Sequence, residues 1–134
     1  MLETRPELTA RLDDELVGWL TTVTKSGQPQ SSVVWFLRDG DELLVYSRPD
    51  ATKLTNIASN PRVAFNLRGD EMGDSMATFE GAATVVDSPT PPHEHAAYFA
   101  KYQGQISRFG WTPDQFSDDY SALIRIAINR VRSW

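Results

Sequence analysis

The stretch Trp19-Leu20-Thr21-Thr22-Val23-Thr24, the turn Lys25-Ser26-Gly27-Gln28-Pro29, the run Ser31–Leu37, the link Asp39-Gly40-Asp41 and the run Leu43–Ser47 decide the fold. Three segments rich in β-branched and aromatic residues are separated by two turn signals. In the second, Gly40 supplies the positive φ of a tight hairpin connection. The reading is an antiparallel meander. Towards the N-terminus, Leu8, Leu12 and Leu16 recur at helical spacing, with Thr9 as a candidate cap, and predict a short amphipathic helix.

Downstream, Pro49-Asp50 ends the third run, and Leu54, Ile57 and Ala58 predict a helix over Ala51–Ser59, closed by Asn60-Pro61. Val63, Phe65 and Leu67 alternate along a strand over Arg62–Leu67, which the acidic loop Asp70–Asp74 follows. Met76–Val86 reads as a long strand in which Gly81 marks a bulge or a close backbone approach. Pro91-Pro92 opens a helical stretch through Tyr102, Thr112-Pro113 starts a short helix, and Ser121–Val131 closes as a strand. Six strands with small helices between them predict a mainly β, α+β protein built on an antiparallel barrel. The expected organisation is one domain over residues 1–134.

Composition bounds the chemistry. A chain of 134 residues and 15.0 kDa leaves no room for a separate cofactor domain. Without cysteine, disulfides, thiolate metal sites and thiol nucleophiles are excluded. A net charge of −5 argues against a general nucleic-acid binder, which needs a basic face. That charge is uneven: Leu43–Arg68 carries +3 and Tyr120–Trp134 carries +3, with the acid elsewhere. An acidic protein with local basic segments suits a small anion better than a polyanion, although short windows also fluctuate by chance. An acidic N-terminus and the absence of a ~20-residue apolar run predict a cytoplasmic protein without membrane association.

His93 and His95 are the only histidines. Two residues apart at a helix start, they point in different directions and read as solvated surface residues, not metal ligands. The informative segment is Tyr46-Ser47-Arg48-Pro49-Asp50-Ala51-Thr52-Lys53. A strand ends, a tight loop follows and a helix begins, which brings Ser47, Arg48, Thr52 and Lys53 to a helix N-terminus with its free N–H groups. That combination is a phosphate cradle; the competing reading makes Ser47 and Asp50 helix caps and Lys53 a solvated side chain.

Gly27-Gln28-Pro29-Gln30-Ser31-Ser32-Val33-Val34-Trp35-Phe36, then Leu44-Val45-Tyr46-Ser47 with Thr52-Lys53, then Asn60-Pro61-Arg62-Val63-Ala64, then Glu80-Gly81-Ala82-Ala83 resemble, in order and spacing, the split-barrel flavin-binding family that includes pyridoxamine 5′-phosphate oxidase. The closing Arg130-Val131-Arg132-Ser133-Trp134 is similar to short actinobacterial-type members that bind the deazaflavin coenzyme F-420. The resemblance implies a homodimer of six-stranded split barrels of the FMN-binding type, with a cofactor in each of two clefts between subunits. It implies that Ser32, Val33, Val34 and Trp35 run beside the flavin or deazaflavin ring. Tyr46, Ser47, Thr52 and Lys53 are then placed at the phosphate, where Arg48 is this chain's candidate to replace a missing cation, and Ser75 and Met76 are contributed by the partner chain.

The departures from the pattern shift the reading. Pyridoxamine oxidases carry Arg where this chain has Ser32, Lys where it has Leu37, and an Arg–Lys pair where it has Thr52-Lys53. The expectation is therefore an oxidoreductase that uses reduced coenzyme F-420 to pass a hydride to a small electron-poor substrate such as an enone. FMN is the alternative cofactor, and a non-catalytic flavin- or haem-binding protein the other class. Trp35 is either an aromatic wall or core, Tyr46 a proton donor or core, and Arg130 with Arg132 a pair for the coenzyme's polyglutamate tail or solvated side chains.

Overall fold

A computed structural model describes residues Met1–Trp134. Seven strands form one antiparallel, curled sheet in the order β2-β1-β5-β6-β7-β4-β3. They are β1 (Gly18–Val23), β2 (Pro29–Val34), β3 (Leu37–Asp39), β4 (Glu42–Ser47), β5 (Arg62–Asn66), β6 (Ala77–Val85) and β7 (Ala122–Ser133). Helices α1 (Pro6–Asp14), α2 (Thr52–Ser59), α3 (Ala96–Arg108) and α4 (Pro113–Asp119) lie against it.

The expected strand Ser31–Leu37 is where six strands become seven. The chain leaves the ladder at Trp35-Phe36, so β2 pairs with β1 at one edge of the sheet and β3 with β4 at the other. One covalent segment thus spans both edges and draws the sheet into a barrel that is split at that point. The break is held from outside. The Phe36 N–H donates to the Tyr102 hydroxyl at 2.8 Å, and the Lys101 ammonium donates to the Phe36 carbonyl at 2.9 Å.

The hairpin glycine behaves as expected, with Gly40 at φ 63° between β3 and β4. Gly81 proves both a bulge and a close approach. The register of β6 against β7 shifts between Glu80 and Gly81, and a Cβ at Gly81 would collide with the Ala127 carbonyl oxygen. The N-terminal helix differs in detail: Pro6 occupies its first turn, Thr9 lies inside it and donates to the Pro6 carbonyl, and Leu16 lies beyond its end. Proline is pre-organised for that position and moves the start upstream of Thr9.

Two apolar clusters result. The barrel interior holds Leu20, Val34, Phe36, Leu43, Val45, Phe65, Phe79 and Ile124 among 18 buried residues. A second cluster of Leu44, Tyr46, Tyr98, Tyr102, Ile106, Phe116 and Leu123 lies between the outer face of β4 and β7 and helices α3 and α4. Strand β4 therefore has both faces covered, which explains its unbroken apolar run Leu43–Tyr46. No helix is long and apolar enough to cross a membrane.

Candidate functional site

Residues from β2, β4 and α2 converge on one cleft. Val33, Val34 and Trp35, at the end of β2, face Tyr46, Ser47 and Arg48, at the end of β4, with Ala51 and Lys53 from the start of α2. The far wall comes from Tyr98 on α3 and from Trp111, Phe116 and Tyr120 around α4, and the cavity measures about 250 Å³. A second, wholly polar groove of about 210 Å³ lies beside it, lined by Thr22, Gln30, Ser31, Ser32, Thr52, Lys53 and Asn56. Lys53 belongs to both.

The start of α2 is open. Its cap residue is Ala51, and no side chain accepts from its first-turn N–H groups. The buried Ser47 hydroxyl instead donates to the Arg48 carbonyl at 3.0 Å, and Asp50 makes no capping bond. The reading of Ser47 and Asp50 as caps is thus corrected. Lys53 has no ion-pair partner and is half-buried, and burial holds its pKa below the usual lysine value. An unneutralised cation beside bare helix N–H groups raises a local positive potential. Arg48 is exposed, and its guanidinium lies 5.0 Å from the Tyr120 ring centroid, tying the end of β4 to the end of α4.

The groove has a rigid floor. Asn56 Nδ2 donates to Thr22 Oγ1 at 3.0 Å and to Gln30 Oε1 at 2.9 Å, so α2 is tied to both β1 and β2. Asn56 falls on the same helical face as Thr52 and Lys53, and that spacing was the available signal for a residue the sequence reading left out. The aromatic wall was also left out. Seven of the 14 aromatic residues lie between 98 and 120, a density that could have pointed to it.

Trp35 is both wall and core: it lines the cleft and stacks on Tyr102 with centroids 4.7 Å apart and planes 1° apart. Tyr46 is 5% exposed and its hydroxyl donates to the Thr90 carbonyl. Burial raises its pKa, and the bond to Thr90 ties β4 to the segment ahead of α3. Ser75 and Met76 line a separate groove with Arg11 of α1 and with Trp134. Within one chain they do not join the Lys53 cleft. Arg132 pairs with Glu80 at 3.0 Å. The histidines are not merely solvated: His95 accepts from the Tyr98 N–H to cap α3, and His93 Nδ1 lies 2.6 Å from Ser117 Oγ on α4.

The sequence profile of pyridoxamine 5′-phosphate oxidase matches residues 4–134. The chain belongs to that family. Several solved structures share this family fold. A conserved hypothetical protein of Mycobacterium tuberculosis is 25% identical, with a TM-score of 0.77 over 96% of this chain and 82% of that one. An F-420 reductase is 24% identical, with a TM-score of 0.67 over 92% and 94% of the two chains. HutZ, the haem storage protein of Vibrio cholerae, is 21% identical, with a TM-score of 0.68 over 96% and 92%. The last two likenesses are of fold. No curated protein matches the sequence.

Proposed function

We propose that this protein is an oxidoreductase that binds the reduced deazaflavin coenzyme F-420 and serves hydride transfer to a small electron-poor acceptor. One observation carries the reading: Lys53 stands at the junction of an aromatic cleft and a polar groove, beside an uncapped helix N-terminus. A flat ring joined to a phosphate has that shape and charge. The ammonium of Lys53, the first-turn N–H groups of α2 and the hydroxyls of Ser32 and Thr52 would hold the anion. The β2 segment Val33–Trp35 and the aromatic residues of α3 and α4 would orient the ring and keep water away. Bound there in reduced form, such a coenzyme supplies the hydride. The protein's own residues then bind and position, in keeping with a cleft whose Tyr46 hydroxyl is already committed to a carbonyl.

The family, and an F-420 reductase among its relatives of like fold, support a flavin-type cofactor; FMN is the second candidate because it presents the same ring and phosphate. Haem storage, the role of the HutZ relative, fits less well. Both histidines here are occupied in holding α3 and α4, and neither lines the cleft. A homodimer completes the proposal. Trp19 and Val33 face each other across β1 and β2 on the outside of the sheet, 41% and 51% exposed, an apolar pair suited to a second copy. A partner seated there is the route by which Ser75 and Met76 reach a cleft they do not join in one chain.

The test is parallel equilibrium titration with reduced coenzyme F-420 and with FMN, together with sedimentation for the oligomeric state. The expected result is saturable F-420 binding that weakens at least tenfold in Lys53→Ala, by a dimer. Unchanged binding in that variant removes the phosphate assignment. Tighter FMN binding transfers the reading to the second cofactor, and a monomer that binds fully removes the shared cleft.

A further inference from the structure

We infer that Tyr98 is a hydrogen-bond donor held ready for an oxygen at the edge of a flat conjugated ring bound in the aromatic cleft. The inference rests on the reading that this cleft receives such a ring.

Three tyrosines pack together in the outer cluster, and their hydroxyls have different fates. Tyr46 donates to the Thr90 carbonyl. Tyr102 accepts from the Phe36 N–H at 2.8 Å and lies within bonding distance of the Leu16 and Phe36 carbonyls. Tyr98 is 0% exposed and its hydroxyl has no partner within the chain, the only buried side-chain polar atom of which that is true. Yet Tyr98 lines the cleft, with its ring set edgewise against Tyr46 at 4.8 Å.

A buried hydroxyl without a partner is costly, and natural proteins keep few of them. The backbone does not force the tyrosine here, because phenylalanine fills the same volume without the cost. Burial also raises the Tyr98 pKa, so the group stays a neutral donor throughout the physiological range. The remaining walls select the shape of the guest. Trp35, Trp111, Phe116 and Tyr120 present aromatic surface, which favours a planar conjugated molecule, and the unsatisfied donor favours one with a carbonyl or nitro oxygen. That chemistry has two sources, the coenzyme's own ring or the acceptor it reduces.

Tyr98→Phe separates the outcomes. In the protein without ligand, this variant should melt a few degrees higher, since it deletes an unsatisfied group and leaves the packing intact. Affinity is then compared in wild type and variant for coenzyme F-420, for FMN, and for two free probes with the same fused bicyclic carbon skeleton, menadione and 2-methylnaphthalene. The expected wild-type preference for menadione over its oxygen-free counterpart is roughly tenfold, and Tyr98→Phe should abolish it. A matching loss confined to the coenzymes assigns the oxygen to the coenzyme ring; one confined to menadione assigns it to the acceptor. Equal affinities in wild type and variant for all four molecules overturn the inference, and a coenzyme that still binds wild type leaves the proposed function standing. Conversely, a menadione preference lost in the variant, in a wild type that binds neither coenzyme, upholds Tyr98 and removes the coenzyme.

Discussion

The interior of the barrel and the layer outside β4 and β7 are both built from large apolar side chains, but they treat polar atoms differently. Inside, the 18 clustered residues are Leu, Val, Ile, Phe and Ala, and the polar side chains buried beside them, Thr22 and Asn56, are bonded to each other. Outside, the cluster of seven includes three tyrosines and borders a cavity of about 250 Å³. A hydrocarbon interior closes on itself and needs only volume and rotamer fit. The outer layer accepts an unpaired hydroxyl and an open space, which is a poor way to stabilise a fold and a good way to keep room for a ligand. Stability and the proposed function are thus divided between two sides of the same strands.

The strongest way to break this division is to damage the interior and watch the cleft. Phe79, 1% exposed and packed near Phe65, should lose about 3–5 kcal/mol on truncation to alanine. Urea denaturation measures that loss. The affinity of the remaining folded protein for F-420 or FMN should match wild type; a large change in affinity would show that the two regions are one. Gly81→Ala attacks the wall of the barrel itself. The obstacle is a backbone carbonyl, that of Ala127, which has no flexible end to swing away, so the cost should reach ~3 kcal/mol, the upper part of the overpacking range. A denaturation midpoint within error of wild type would mean that the bulge at Glu80/Gly81 relaxes.

A smaller effect tests the seam between barrel and site. Asn56→Ala leaves Thr22, 2% exposed, and Gln30 without their shared donor. The expected cost is about 1–2 kcal/mol in stability, accompanied by weaker binding of the anionic coenzyme because β2 and α2 no longer hold the polar groove in shape. Full stability with weakened binding would make Asn56 a ligand contact and not a tie.

What was legible in the sequence follows the same division. The meander, the alternation in β5 and the bulge at Gly81 could be read because strands and tight turns are written in nearest-neighbour patterns. The break at Trp35-Phe36 could not. Its residues continue the β-rich run, and only the distant Tyr102 and Lys101 make leaving the ladder favourable. At the site, the segment Tyr46–Lys53 was visible because a strand end and a helix start lie eight residues or fewer apart. Trp111, Phe116 and Tyr120 carry no local pattern that marks a cleft, and they reach it only through the packing of α4 and its flanking residues beside Trp35. His95 as a cap was hidden by the 3-10 turn Pro92–Glu94, which starts α3 later than Pro91-Pro92 suggests.

The last test concerns Lys101, which joins the two regions at the split. Its ammonium donates to the carbonyls of Leu12 and Phe36 and lies 4.0 Å from the Phe36 ring centroid, within cation–π range. Burial nevertheless lowers its pKa from 10.5 to about 8, against the pull of Asp13, Asp14 and Glu15. Between those two pH values the unfolded chain binds more protons than the folded one, so stability rises with pH across this window and is flat with respect to this group below it. Lys53, lowered in the same direction, adds to the rise. Tyr98 and Tyr102 act oppositely: burial raises their pKa values above 10, so the folded protein keeps protons that the unfolded chain releases, and stability falls above that pH. Urea midpoints should therefore climb from about pH 8 and turn down past about pH 10. Lys101→Met should flatten the climb and leave the descent. It should also raise the midpoint most near neutral pH, where wild type carries the buried charge, unless the two carbonyls and the Phe36 face compensate the ion fully. In that case the variant is less stable at every pH, and the seam is held by the charge itself.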